Sequence, residues 1–124
     1  MNPMKIPPTT YFLRAEVLRV IDGDTLEVHV YVTPTIIFQN MHVRIKSPYG
    51  YFDAPERSTP EGKIASEFLT SIVPPRSWFT LVIDAKRARD SFGRILACVK
   101  DEDGEDIASE MIAAGHVKKK PAFE

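Results

Sequence analysis

The sequence predicts a β-rich α+β domain, a five-stranded, OB-fold-like antiparallel barrel carrying two to three helices. Three observations lead there. Five segments are rich in β-branched and aromatic residues, Asp-Gly and proline turn signals separate several of them, and apolar residues at helical spacing follow the third and fifth segments. Three sequential strands, a helix, two strands and a final helix suit a closed or partly open antiparallel barrel.

Residues 1–10, with prolines at positions 3, 7 and 8, read as a flexible arm. Residues 11–21 favour an extended chain through Phe12, Ala15, Val17, Val20 and Ile21. Asp22-Gly23-Asp24 turns the chain into residues 25–32, where Leu26, Val28, Val30 and Val32 alternate with Glu27, His29 and Tyr31. Thr33-Pro34 leads to a third strand over residues 35–46, with Ile37, Gln39, Met41, Val43 and Ile45 on one face and Phe38 on the other. Residues 47–59 hold two prolines, a glycine and three charged residues, and read as a connecting or functional loop.

Thr59-Pro60-Glu61 is a helix start: an N-cap, a proline at the first helical position and an acid near the positive helix end. Ile64, Ala65, Phe68, Leu69 and Ile72 give the helical period, and Pro74-Pro75 stops it. Residues 78–85 and 94–100 form a hairpin around the polar loop 86–93. Ile107, Met111 and Ile112 make a short amphipathic helix that Gly115 ends, and residues 118–124 read as a frayed tail. The expected division is therefore an arm at 1–10, a domain at 11–117 and a tail at 118–124.

At 124 residues the chain suits one domain. The charge of −1 gives no overall attraction for a polyanion, so any such ligand must meet a local patch. Cys98 sits in the apolar run 95–99, so it reads as a buried thiol. No stretch reaches the roughly 18 apolar residues of a membrane span, and residues 1–10 lack the apolar core of a signal peptide. A cytoplasmic protein is expected as the sequence stands, or a secreted one if a leader has been removed; a monomer is the default.

Three clusters place charged residues beside strand-end turns: Asp22-Gly23-Asp24-Thr25, Asp53-Ala54-Pro55-Glu56 and Phe92-Gly93-Arg94. Singly, each reads as a tight turn or a solvated loop. Together they contain what phosphodiester cleavage needs. Hard divalent ions prefer carboxylate and carbonyl oxygens, which Asp24 and Asp53 can offer. Glu56 can activate a water, and Arg44 and Arg94 can clamp a phosphate and offset charge as it builds. His29, His42 and His116 form no zinc motif, and no phosphate-cradling glycine loop or dinucleotide fingerprint is present.

The strings Val20-Ile21-Asp22-Gly23-Asp24-Thr25-Leu26, Asp53-Ala54-Pro55-Glu56 and Phe92-Gly93-Arg94-Ile95-Leu96-Ala97, in that order, resemble the thermonuclease family, the staphylococcal nuclease-like proteins. The resemblance runs over about residues 15–117. It implies a five-stranded barrel and a nuclease that uses one calcium ion to cleave DNA and/or RNA, leaving 3′-phosphate ends. It also implies roles. Asp24, Asp53 and the main-chain carbonyl of Ala54 match the calcium ligands, Glu56 the proposed base, and Arg44 and Arg94 the phosphate-contacting arginines. Asp22 matches an acidic neighbour of the metal, with Thr25 beside it.

The chain departs from the family at two places. Eight residues separate Arg44 from Asp53, more than the family motif leaves, so Ser47-Pro48-Tyr49-Gly50 or an equivalent stretch is inserted. Arg44 is preferred over Lys46 because only arginine carries the bidentate fork, and the insertion is expected to bulge and leave Arg44 aimed at the site. Tyr49 and Tyr51 are candidate base-stacking residues. The tail carries Pro121 and Phe123 where the best-known members have tyrosines. A catalytically weak or inactive nucleic-acid-binding module of the same fold is the alternative reading.

Overall fold

Alternating apolar residues that must leave water on one side drive five strands into a ring, and the turn residues set where each ends. The structure, a computed structural model, describes residues 9–48 and 51–120. Its elements are β1 (Thr10–Asp22), β2 (Thr25–Thr33), β3 (Ile36–Ile45), β4 (Tyr51–Asp53), α1 (Pro60–Ile72), β5 (Trp78–Asp84), β6 (Ile95–Lys100), α2 (Ile107–Ala113) and β7 (Lys118–Lys120). A 3-10 turn, Ala85–Arg87, follows β5.

The expected barrel is present, closed in the order β1-β2-β3-β6-β5. Its closing pair is parallel, Val43 to Ile45 of β3 lying beside Ile95 to Ala97 of β6, while the other neighbours run antiparallel. This is a matter of parity. Directions cannot alternate all the way round a closed ring of five strands, so one pair must run the same way and the barrel is mixed.

Ala15, Val17, Leu26, Val28, Val43, Ile45, Leu81, Ala97 and Val99 are all but sealed from solvent inside the barrel. Every residue from Ile95 to Val99 is buried, Cys98 included, so β6 is covered on both faces. Burial pushes the Cys98 thiol above its ordinary range, with the Asp106 charge adding to it. Among the described residues no helix is long and apolar enough to cross a membrane.

β3 departs from the expected alternation. Val28 pairs with Met41 but Val30 pairs with Phe38, so β3 carries one extra residue, and Asn40 adopts a φ of 55° there. The bulge reverses the facing beyond it and puts Phe38 on the side of Val30 rather than opposite Val43. Asn40 is held by donating its amide to His29 Nδ1 and its side-chain nitrogen to Glu27 Oε2.

Residues 47–59, expected as loop, contain β4, and Lys118–Lys120, expected to be frayed, pairs with it as β7. Three consecutive lysines carry no strand pattern. What anchors this ribbon is Phe52, whose side chain is completely buried. α1 begins as expected: the Thr59 hydroxyl accepts from Gly62 N at 3.0 Å, with Pro60 in the first turn. Thr59 in turn donates its amide and hydroxyl to the Glu56 carbonyl, at 2.9 and 2.6 Å. A Cβ on Gly62 would stand 1.8 Å from that same carbonyl oxygen, so the turn that carries Glu56 closes on a glycine.

Gly62→Ala must therefore push backbone against backbone. We expect it to cost about 3 kcal/mol of unfolding free energy, read by urea denaturation. A loss below about 0.5 kcal/mol would show that the Glu56 turn does not depend on this contact.

Candidate functional site

Strand register brings the charged residues together. Thr25 at the start of β2 pairs with Arg44 of β3, and Arg44 pairs with Leu96 of β6. The backbone of the first turn is tied to β3, because Ile45 N donates to the Asp24 carbonyl at 2.8 Å. The same turn is pressed against the next segment: a Cβ on Gly23 would meet Ala54 Cβ at 2.7 Å and Ala65 Cβ at 3.0 Å. The Asp22 to Asp24 turn, the residues after β4 and α1 thus share one packed contact.

Arg44 occupies the centre, its side chain 13% exposed. Nη1 lies 3.4 Å from Asp24 Oδ2 and donates to the Ile45 carbonyl at 2.9 Å. Nη2 donates to the Phe52 carbonyl at 2.7 Å and meets Asp53 Oδ1 at 3.3 Å, and the guanidinium lies over the Phe52 ring. The insertion leaves Arg44 facing Asp24. Tyr49 lies outside the described residues, and Tyr51 opens β4.

Asp24 draws further partners. Thr25 Oγ1 donates to its Oδ1 at 2.8 Å, and Ala54 N approaches Oδ2 at 3.4 Å. Its own amide donates to Asp22 Oδ1 at 3.1 Å. Burial first, and the hydrogen bond shared with Asp22 second, push Asp24 up to about 6 from the ordinary 3.8, against the pull of Arg44. Burial also opposes the charge on Asp22, but hydrogen bonds from the Asp24 carboxyl and amide outweigh it and hold Asp22 below its ordinary range. The pair therefore keeps its last proton on Asp24.

Arg94 reaches the same unit from the other side. Its Nη1 is 3.2 Å from Thr25 Oγ1, and its Nε donates to Asp90 Oδ2 at 2.6 Å. Asp90 was not singled out by the sequence, since an acid four residues before an arginine in a polar turn is common. Its other oxygen accepts the amides of Phe92 and Arg94, both at 2.9 Å. Burial opposes its charge, but those bonds and the Arg94 side chain hold Asp90 below its ordinary range. Phe92 beside it is 82% exposed, with the Arg94 guanidinium over its ring at 5.3 Å. Glu56 is exposed in the turn before α1.

The donor set fits a hard cation. Asp24 and Asp53 already converge on one positive group, the Arg44 guanidinium, and both are oxygen ligands of the kind calcium takes. Among the described residues no three Asp, Glu, His or Cys side chains cluster as a metal cage. An ion here would rest on two carboxylates and main-chain oxygen, keeping positions for water and substrate. His29, His42 and His116 stay apart from it: His29 holds the β3 bulge, His42 is exposed, and His116 packs its ring on Phe68 at 4.6 Å.

No family model matches the chain. It is similar to proteins named as endonucleases. Over 102 residues, 79% of this chain, it is 31% identical to Endonuclease YhcR of Bacillus subtilis (strain 168), of which that stretch is 8%. It is 31% identical over 103 residues, 83% of its length, to an uncharacterized endonuclease of Escherichia coli, and 30% identical to one of Escherichia coli O157:H7. The chain spans 58% of each of those two relatives.

A buried carboxylate whose charge is undercompensated costs stability at neutral pH. With Asp24 raised above its unfolded value, the folded state binds more protons between about pH 4 and 6, so stability falls as pH rises through that window. With divalent ions removed, Asp24→Asn should raise unfolding free energy at pH 7 by on the order of 1 kcal/mol and flatten the slope between pH 4 and 6. Urea melts across that range check it; an unchanged slope would refute the assignment of the proton to Asp24.

Proposed function

We propose that this chain is a calcium-dependent nuclease that hydrolyses phosphodiester bonds of DNA and/or RNA as an endonuclease and leaves 3′-phosphate ends. One observation carries the reading. Asp24 and Asp53 share the Arg44 guanidinium while Arg94 is tethered to Asp24 through Thr25, so two carboxylates and two arginines from four separated segments meet at one place. The names of the similar proteins agree with it.

Asp24, Asp53 and the Ala54 carbonyl would hold one calcium ion, which supplies Lewis-acid stabilisation of charge on the phosphate when bound. The protein's own residues do the rest. Arg94, its Nε fixed by Asp90, keeps guanidinium N–H groups for phosphate oxygens and is ordered before substrate arrives. Glu56, exposed and carried on the turn that Gly62 closes, takes a proton from the attacking water. Water oxygen bonds to phosphorus, the bond to the 5′-oxygen breaks and that oxygen takes up a proton, leaving a 3′-phosphate and a 5′-hydroxyl. Burial and the hydrogen bond with Asp22 make Asp24 hold its proton to higher pH than an ordinary carboxyl, and a cation bound there would lower that pH.

The test is incubation of the purified chain with single-stranded DNA and with RNA in calcium, magnesium or chelator. Cleavage in calcium that stops with chelator is expected. Glu56→Gln should lower kcat by about 10²-fold or more with folding intact, and Arg94→Ala should lower kcat by a similar factor with little change in KM. Binding without cleavage would replace the enzyme with a nucleic-acid-binding module. Cleavage at the wild-type rate in both variants would reject the assigned roles.

A further inference from the structure

Beyond the charged residues lies a cleft of about 640 Å³ that opens at Asp53 and runs between the start of α1 and the segment after α2. Its walls include Ala54, Pro55 and Ile64, and His116 forms one side. The His116 ring is set against Phe68 at 4.6 Å with the planes tilted by 46°, so it is a held aromatic surface rather than a loose side chain. This volume falls in the range that takes small organic ligands, and an apolar lining with a few polar groups is what such sites share.

The position of the cleft says what enters it. A chain of contacts links exposed Phe92 through Arg94, Thr25, Asp24 and Arg44 to Asp53, which also lines the cleft. The residue that joins the arginine cluster to the cavity is therefore Asp53, through its contact with Arg44. Asp53 and Glu61 outnumber the one cation of the lining, Lys118, so the cavity offers a phosphate no net attraction and its mainly apolar walls suit the neutral part of a nucleotide.

We infer that this cleft is a subsite for the unpaired nucleobase next to the scissile phosphate; the inference rests on the nuclease reading above. The base enters against Ala54, Pro55 and Ile64 with its ring on His116, while its phosphate stays on the arginine side. A base held in a duplex must first leave its stack, at a cost of a few kcal/mol, so the subsite makes the enzyme prefer single strands.

The experiment uses the full ¹⁵N-labelled chain in chelator, titrated with a single-stranded thymidine tetramer and with an abasic tetramer carrying the same phosphates. The amides of Ile64, Gly115 and His116 should shift with the thymidine tetramer and stay still with the abasic one. Ile64 is 52% exposed on α1, so Ile64→Trp fills the cleft from the outside of the fold. It should weaken the thymidine tetramer about tenfold and leave the abasic one unchanged. Shifts confined to the Thr25, Arg44 and Arg94 amides would overturn the subsite and leave the nuclease reading standing. Equal weakening of both oligomers by Ile64→Trp would also overturn it. No shift with either oligomer, together with no cleavage in calcium, would remove both. Should Ile64→Trp fail to fold, the comparison of the two tetramers on the wild-type chain decides alone.

Discussion

Arg44 is shared. Two carboxylates from segments that meet only through folding, and two main-chain carbonyls, all draw on one guanidinium that is largely withdrawn from water. A cation so far withdrawn from water needs such partners, and Asp24, its side chain 14% exposed, would lose its neighbouring positive charge without it. The first turn, the end of β3 and the end of β4 are therefore held at one spacing by a charge that satisfies all of them. A cation added to Asp24 and Asp53 would compete with Arg44 for the same oxygens, and such competition would couple stability to cation binding.

Most of the barrel was legible because its strands bury one face. Leu26, Val28 and Val43 carry an alternation that only an inward face explains, and the cap at Thr59 marks where α1 begins. The candidate site was legible for a different reason. Carboxylates and arginines beside turns stand out against the β pattern, and the order of the three strings narrowed their reading further. Their convergence was not legible, since the register of Thr25 with Arg44 and of Arg44 with Leu96 exists only in the folded sheet.

What the sequence hid has equally specific causes. The bulge at Asn40 depends on side-chain bonds to His29 and Glu27, residues on another strand, so no local pattern announces the reversal that moves Phe38. The β4–β7 ribbon joins three lysines to a segment rich in turn residues, and its stability comes from burial of Phe52 rather than from strand propensity. The five-stranded, OB-fold-like barrel is present as expected, and its one parallel pair follows from arithmetic, since a closed odd ring cannot alternate. Asp90 escaped because a loop carboxylate four residues before an arginine is common, and its role shows only when both oxygens are seen to be engaged.

The parallel seam required by that odd ring lies at the site itself. Val43 to Ile45 meet Ile95 to Ala97 over three residue pairs, with Arg44 in the middle pair near the end of β3 and Arg94 just ahead of β6. Parallel pairing is slightly less stable per residue than antiparallel pairing, and this seam is short. Bonds outside the ladder reinforce it: Ile45 N to the Asp24 carbonyl, Lys46 N to the Ala97 carbonyl, and Arg94 Nη1 to Thr25 Oγ1. Closing the barrel and setting the distance between the two arginines are thus the same event. The arrangement of charge is therefore as firm as the three residue pairs that close the ring together with the bonds that brace them.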